Sequence, residues 1–470
     1  MVFSSITFLF CILPLFLITS FVARRLKAAA GRNAVLLLVS LLFYTWGEAV
    51  NVLLLIALGF FNYGGGLLLS KTPWPRLTVS LLVACNLAVL AWFKYVVWLL
   101  SFFVPQGWSN PVLPTALPLG ISFFTFHAVS YLIDVHRKDI VPARSSLNFL
   151  TYFCMFPHLV AGPIVRYRHI QNELSHLDND PNLFSFGMYR FLLGFNKKIL
   201  LANMVAPIVD NAFIWQIEDG IGHLPISCAD AWLGAVAYTL QIYFDFSAYS
   251  DMAIGLAAMA GFRFAENFQR PYSASSIKEF WRRWHISLSS WFRDYLYLPL
   301  GGNRQGQTRT LLNLLVVFTL CGLWHGANLT FLVWGLWHGM FLVFERLGWG
   351  KLLQRLPSWL GRLYTILIVL LGWVFFQSKN LERAVAYLKT MFMPWTAEGG
   401  IALTYFGAGI TAIAIGIFLC LLPDRLLPTP DSAHPEQVHR WHMLVQALLF
   451  FPALAFLVSG SRNPFIYFNF

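Results

Sequence analysis

Charge-free stretches long enough to cross a lipid bilayer recur along the chain, and they restrict its fold more than any other feature. Examples without Asp, Glu, Lys or Arg are residues 2–23, 49–70, 145–165 and 400–423. A helix needs about 20 apolar residues to span the hydrocarbon, where unpaired backbone groups find no partners. The spacing therefore predicts an all-α integral membrane protein with on the order of ten or eleven spans plus re-entrant and interfacial helices.

Composition and charge agree with membrane insertion. The chain is 58% hydrophobic and 11% charged, whereas soluble proteins average about 45–50% apolar and about 25% charged residues. Arg24, Arg25, Lys27 and Arg32 follow the first span, whereas a cleavable signal peptide has its basic residues before the apolar core. The positive-inside tendency predicts an outward N-terminus. It also explains the net charge of +12 without nucleic-acid binding, which would need a soluble basic domain.

The connectors are too short for a soluble domain, so we expect one membrane domain over residues 1–470. Polar chemistry concentrates in its centre. We therefore expect scaffold spans at 1–133, a catalytic core region at 134–347 and C-terminal spans at 348–470. The six cysteines are scattered singly, and HExxH, GxxxxGK[ST] and useful GxSxG patterns are missing from the sequence. We expect neither a metal nor a tightly bound cofactor.

One histidine lies near the middle of an uncharged run. His325 occupies the string GLWHGANLTF within residues 310–344. An ionisable group at membrane depth is a functional candidate, and imidazole could take a proton from a hydroxyl that attacks an acyl carbon. Trp324 and Asn328 are candidate substrate contacts beside it. The competing interpretation, a core histidine bonded to a carbonyl, is slightly favoured by the pattern alone.

The pentamer GLWHG recurs around His338. After this second pentamer come Met340, Phe341, Leu342 and Val343. They offer fewer polar partners than the surroundings of His325. We therefore predict a supporting or packing role for His338.

Residues 276–298, SIKEFWRRWHISLSSWFRDYLYL, predict an amphipathic helix. Ser276 and Glu279 have the spacing of a capping box at its start. At about 100 degrees per residue, Trp281 falls on an apolar stripe and His285 on its border. The neighbouring polar face consists of Lys278, Arg282, Ser289 and Arg293. Such a helix prefers the membrane interface or the edge of a cavity.

Two interpretations of the basic face of this helix stay open. Its Lys and Arg side chains could contact lipid phosphates, which is the usual meaning of such a pattern. The same edge could instead receive a phosphorylated donor such as coenzyme A. Neither interpretation excludes the other.

A row of polar residues lies inside the predicted span at residues 231–261. One helical face carries Tyr238, Gln241, Asp245 and Tyr249, with Asp251 elsewhere on the helix. Carboxylates inside a span must be paired, protonated or facing water. Hydrogen-bonded packing is the favoured interpretation, and Asp245 and Asp251 remain candidates for a cavity wall.

The order of these motifs resembles the membrane-bound O-acyltransferase family, and closely its bacterial alginate O-acetyltransferase branch. The matching strings are MVFSS at the start, YFDFSAYSDMAIG, NFQRPY, FWRRWHISLSSWFRDYLYLPLGGN, GLWHGANLTFLVWG and the final NPFIYFNF. The resemblance covers essentially the whole chain. It reverses the balance at His325, because the histidine of the WHG motif is the essential residue of that family.

The resemblance implies a fold, a reaction and partners. The fold would be a ring of membrane helices around a central funnel, with a tunnel that admits acyl-CoA from the cytoplasm. His325 would be catalytic and His285 the second site histidine, with Lys278 and Arg282 nearer the donor phosphates. The donor would be acetyl-CoA. The location would be the bacterial inner membrane, with a periplasmic SGNH-hydrolase-type acetyltransferase and a polysaccharide export complex as partners.

Other functions stay open at this point. The related peptidoglycan O-acetylation and D-alanylation branches share the histidines, so peptidoglycan, cellulose or teichoic-acid-type acylation is possible by the same chemistry. A glycan or lipid transporter would often show matching halves with broken helices, and the sequence lacks that symmetry. A scaffold of an export complex would not require His325.

Overall fold

The computed structural model describes residues 2–25, 28–104, 114, 116–177, 180–214, 226–393, 407–422, 432–460, 463 and 465–466. These residues form helices joined by turns, as the charge-free spacing predicted. Residues 467–470, which belong to the C-terminal string matched above, lie outside the described residues.

The helices follow one another along the chain in three groups. The first group is α1 (Leu13–Arg25), α2 (Ala29–Glu48), α3 (Asn51–Leu69), α4 (Pro75–Lys94), α5 (Val96–Leu100), α6 (Ile121–Arg137), α7 (Ser146–Cys154), α8 (Phe156–Leu159) and α9 (Tyr167–Ser175). The second is α10 (Pro181–Lys197), α11 (Asn203–Ile214), α12 (Cys228–Met259), α13 (Ile277–Arg283) and α14 (Ile286–Phe292). The third is α15 (Gly306–His325), α16 (Leu329–Phe344), α17 (Gly350–Leu353), α18 (Ser358–Gln377), α19 (Leu381–Met391), α20 (Ala408–Leu421) and α21 (Arg440–Val458).

Among the described residues, seven helices are long and apolar enough to cross a membrane. They are Ala29–Glu48, Asn51–Leu69, Pro75–Lys94, Pro181–Phe213, Gly306–His325, Ser358–Gln377 and Arg440–Val458. The fourth of these runs through α10, a π-helical turn at Lys198–Ala202 and α11. Two shorter apolar helices, Phe8–Val22 and Ala408–Leu421, accompany them. The prediction of an all-α, multi-pass membrane protein is confirmed. The larger number of ten or eleven spans stays an expectation.

The charge-free stretch at 145–165 does not form one continuous helix. Helix α7 ends at Cys154, and the short α8 begins at Phe156. Pro157, at the start of α8, has no N–H to donate to a preceding turn. The N–H of Phe156 donates instead to Ser40 Oγ at 3.1 Å. Hydropathy alone could not reveal this break, because both pieces are apolar and buried.

The chain divides into two compact units. The first contains Met1–Phe195, Tyr249–Glu266 and Pro430–Pro452. Aromatic side chains fill part of its core, where the rings of Phe3 and Tyr249 stack at 4.4 Å. The second unit contains Asn196–Ala248, Asn267–Thr429 and Ala453–Phe470. The second unit holds the cavity and the three histidines described below, His285, His325 and His338.

In the second unit, the two GLWHG pentamers pack against each other. Helices α15 and α16 are antiparallel neighbours, because only residues 326–328 join them. A methyl group on Gly322 would lie 3.3 Å from the Cα of Gly335 and 2.2 Å from the carbonyl oxygen of Phe331. The first glycine of each pentamer therefore marks the crossing, where only small residues permit such close approach.

Candidate active site

Helix α13 begins where the sequence predicted. Ser276 Oγ accepts a hydrogen bond from the N–H of Glu279 at 3.1 Å. The carboxylate of Glu279 accepts from the N–H of Ser275 at 2.8 Å, one residue earlier than a capping box requires, and from Arg283 Nη2 at 2.7 Å. Burial raises the pKa of Glu279, but the hydrogen bonds from Ser275 and the charge of Arg283 outweigh it and leave the pKa lowered.

The predicted continuous helix at 276–298 is interrupted, which corrects the sequence-based prediction. Trp284 is extended, and His285 has a left-handed backbone with φ 43° and ψ 55°. Helix α14 then begins at Ile286, and a π-helical turn follows at Arg293–Tyr297. Because of this break, the buried imidazole of His285 does not lie where one continuous helix would place it.

Despite this break, the residues of the basic face lie together and line a cavity of about 1020 Å³. All four predicted polar-face residues line it, namely Lys278, Arg282, Ser289 and Arg293. Trp281, Phe318 and Cys321 supply part of its apolar lining. The cavity therefore combines a cationic edge with an apolar wall.

Two further cations line the same cavity, and sequence reasoning missed both. Arg346 and Lys351 belong to the segment after α16, which carries mixed charge and offered no sequence signal. The two lining carboxylates are engaged elsewhere. Glu345 accepts from the N–H groups of Ile277 at 2.6 Å and Lys278 at 3.0 Å, and Glu279 binds Arg283. The five lining cations therefore outnumber the two lining carboxylates.

His325 is the last residue of α15 and is only 5% exposed. It lies one helical turn beyond Cys321, a residue of the cavity wall. Its ring is flanked by Trp324 at 4.8 Å, Trp334 at 5.0 Å and Phe376 at 5.0 Å between centroids. Trp334 in turn contacts the cavity residue Trp281 at 5.7 Å. Aromatic rings thus connect the cavity to the imidazole of His325.

The structure brings His285 and His325 to the same indole. The Trp324 ring lies 6.3 Å from the His285 ring and 4.8 Å from the His325 ring. His285 is fully buried, and its Nδ1 lies 3.2 Å from Asn267 Oδ1. Two buried imidazoles in a water-poor, aromatic environment can perform proton transfer and stabilise a developing charge.

His338 has different surroundings. It is fully buried in the middle of α16, with the rings of Trp281 and Trp334 each at 5.2 Å. Within the described part of the chain, neither of its ring nitrogens has a hydrogen-bond partner. The supporting or packing role stays a prediction, and the aromatic enclosure agrees with it.

The remaining candidate residues make structural contacts. In the second unit, Asp245 pairs with Lys198 Nζ at 2.7 Å and accepts from the N–H of Ile466 at 2.8 Å. Asn328 Oδ1 caps α16 by accepting from the N–H of Thr330 at 3.1 Å. Their assignment as substrate contacts stays a prediction.

Asp251 belongs to the first unit, where it pairs with Arg190. The same guanidinium donates to Glu266 from its two terminal nitrogens, Nη1 at 2.8 Å and Nη2 at 2.9 Å. The sequence required partners for both carboxylates of α12, and the structure supplies a different basic residue for each.

Sequence reasoning also missed Asn267, Trp334 and Phe376. Asn267 begins the string NFQRPY, whose one sequence signal is its resemblance to a motif of the family. Trp334 comes directly before Gly335, the first residue of the second pentamer. Nothing in the local sequence predicts that Trp334 lies beside His325. Phe376 comes from α18, which the chain reaches much later. These residues join the site only through contacts between helices.

The apolar helices define a multi-pass membrane protein, and two buried histidines form its candidate site. The chain belongs to the MBOAT, membrane-bound O-acyltransferase family, whose model matches residues 6–368. It is therefore an O-acyltransferase, as the resemblance of its motifs predicted.

Several curated relatives are similar over most of the chain. A probable alginate O-acetylase AlgI of Pseudomonas putida is 40% identical and covers 100% of both chains. The protein of the same description from Pseudomonas aeruginosa is 43% identical over 83% of this chain and 75% of its own length. A peptidoglycan O-acetyltransferase of Helicobacter pylori is 31% identical over 100% of this chain and 98% of its own.

Proposed function

We propose that this protein transfers acetyl groups from acetyl-CoA for the O-acetylation of an exported polysaccharide, with an alginate-like polymer as first choice. The relatives with 40% and 43% identity are described as alginate O-acetylases. The peptidoglycan enzyme is less similar at 31% identity. The acceptor therefore follows the more similar relatives.

The observation that carries the proposal is the basic cavity, whose wall at Cys321 lies one helical turn from His325. Lys278, Arg282, Arg346 and Lys351 offer cations for the phosphates of a coenzyme A molecule at the cavity edge. The apolar wall at Cys321 suits the uncharged acyl-bearing arm. The thioester would then be directed toward His325, one turn further along α15.

His325 would act at the acyl carbon by one of two routes. As a base, it takes the proton of an acceptor hydroxyl, whose oxygen attacks the thioester carbon while the C–S bond breaks and coenzyme A leaves as the thiol. As a nucleophile, it first attacks the thioester carbon itself, the C–S bond breaks and coenzyme A leaves as the thiolate. In a second step the acceptor hydroxyl takes the acetyl group from the imidazole, and the hydroxyl proton neutralises the thiolate. Incubation with labelled acetyl-CoA in the absence of acceptor separates the routes, since only the second labels His325.

The proposal includes a location and partners. The protein would lie in the bacterial inner membrane, with its helices arranged around a central funnel and the donor entering from the cytoplasm. A periplasmic SGNH-hydrolase-type acetyltransferase would receive the acetyl group for the export complex. A water-filled funnel would let several polar residues exist within so apolar a chain.

The test is acetyl transfer by the purified protein in lipid nanodiscs, with labelled acetyl-CoA, the SGNH-type partner and either polymannuronate or peptidoglycan fragments. We expect His325→Ala to lower transfer by about 10²–10⁴-fold. His338→Ala is the matched control, because it removes the same side chain from the twin motif. Full transfer by His325→Ala would overturn the catalytic assignment, and selective labelling of peptidoglycan would overturn the choice of acceptor.

A further inference from the structure

The backbone around His285 is held in a conformation that a regular helix would not give. The left-handed region at φ 43° is disfavoured for residues with a Cβ, so surrounding contacts must maintain it. Two backbone hydrogen bonds do so. Ile286 N–H donates to the carbonyl of Asn267, and Gln269 N–H donates to the carbonyl of Arg283, both at 2.9 Å.

The side chain of Asn267 reaches the same imidazole. Its Oδ1 lies 3.2 Å from His285 Nδ1 and accepts from Ser287 Oγ at 2.9 Å. The backbone N–H of Ser287 also donates to this oxygen, at 3.1 Å. Asn267 is fully buried, so water does not compete for these bonds.

These contacts fix the orientation of the Asn267 amide. The backbone N–H of Ser287 can only donate, so the atom of Asn267 that faces it must be the oxygen rather than the nitrogen. An amide oxygen can only accept. Nδ1 of His285 must therefore carry a hydrogen, and the lone pair of the neutral ring must lie on Nε2.

We infer that Asn267 is a positioning residue, which holds His285 in the tautomer whose Nε2 accepts a proton. The inference rests on the proposed participation of His285 in acyl transfer. The ring of Phe246, at 4.7 Å and nearly perpendicular, restricts rotation of the imidazole. When Nε2 takes a proton, the bond from Nδ1–H to Asn267 stabilises the imidazolium. Removal of Asn267 would release the ring to place its lone pair on either nitrogen.

The test compares Asn267→Ala with Asn267→Asp in the full-length protein. We expect Asn267→Ala to lower kcat about 10- to 100-fold with an unchanged KM for acetyl-CoA, as for other side chains that orient a functional imidazole. Asn267→Asp keeps the accepting oxygen but favours the imidazolium. Its kcat should therefore recover above that of the alanine variant as the pH rises, which a purely structural role would not produce.

Asn313→Ala is the matched control. Asn313 is also a buried asparagine, but its amide donates to the carbonyls of Leu300 and Gly302. We expect this variant to keep the wild-type kcat. Wild-type kcat in Asn267→Ala would overturn the inference, and so would equal losses in Asn267→Ala and Asn313→Ala.

A second measurement does not depend on activity. Solid-state NMR of histidine-labelled protein in bilayers reports the tautomer of each ring, and the signal of His285 is identified by its loss in His285→Ala. We expect a neutral His285 with the hydrogen on Nδ1. A lone pair on Nδ1 would overturn the inference even if acetyl transfer is observed. The expected tautomer without acetyl transfer would leave the inference standing and refute the proposed function.

Discussion

The packing of the twin pentamers makes Gly322→Ala a sharp test of the site. The added methyl carbon would lie 2.2 Å from the carbonyl oxygen of Phe331, whereas ordinary contact begins at 3.4 Å. Backbone atoms cannot rotate away as a flexible side chain can. Helices α15 and α16 must therefore move apart by about 1.2 Å at this point, since repulsion rises steeply inside contact distance.

The expected magnitude has two parts. Overpacking of this kind costs about 1–3 kcal/mol of stability, and the better helix propensity of alanine returns about 1 kcal/mol. The larger effect falls on catalysis, because Trp334 of α16 flanks His325 of α15 at 5.0 Å. A displacement near 1 Å in an active site can lower kcat by about 10²-fold.

Gly339→Ala provides the matched control within the second pentamer. Its added carbon would lie 3.2 Å from the Cβ of Phe318 and 3.3 Å from the Cδ2 of Leu315, which a small adjustment relieves. We expect it to retain activity and to melt at or above the wild-type temperature. Melting is measured by fluorescence in detergent, and kcat by acetyl transfer. Wild-type kcat in Gly322→Ala, or equal damage in both variants, would refute the crossing as the feature that places His325.

Two further predictions concern charges. Arg282→Gln should raise the KM for acetyl-CoA about three- to tenfold with kcat unchanged, because it removes one charge-assisted contact. Rates at varied acetyl-CoA check this. The control is Arg309→Gln, since Arg309 is exposed and is not among the residues that line the cavity. Asp245→Ala should lower stability by about 3–5 kcal/mol, because it leaves buried Lys198 without its carboxylate. Thermal unfolding measures that loss. The double variant Asp245→Ala, Lys198→Met should recover most of the lost stability. Equal melting temperatures of the single and double variants would contradict this explanation.

The basic helix shows how far local pattern reaches. Capping chemistry predicted its start at Ser276, and the helical period predicted the polar face whose four residues line one cavity in the structure. The period could not predict the break at His285. That break depends on hydrogen bonds that Asn267 accepts from Ile286 and His285. Asn267 lies outside the helix, so local propensity does not include its contribution.

The charged residues of α12 give a second example. The cost of an unpaired carboxylate in a membrane required partners for Asp245 and Asp251. It did not identify those partners, which are Lys198 and Arg190. The need for a partner is a property of the single residue, whereas its identity depends on which helices pack together.

The sequence by itself determined that this is a multi-pass membrane protein, and its motifs placed it in an acyltransferase family with His285 and His325 as site candidates. Hydropathy, helical period and motif order are local properties that the chain carries before it folds. Only the tertiary structure decided what surrounds each histidine. The two pentamers are identical in sequence, but their crossing at Gly322 and Gly335 leaves His325 at a helix end beside the cavity wall and encloses His338 among aromatic rings. Contacts between different helices make that distinction, and no local pattern contains them.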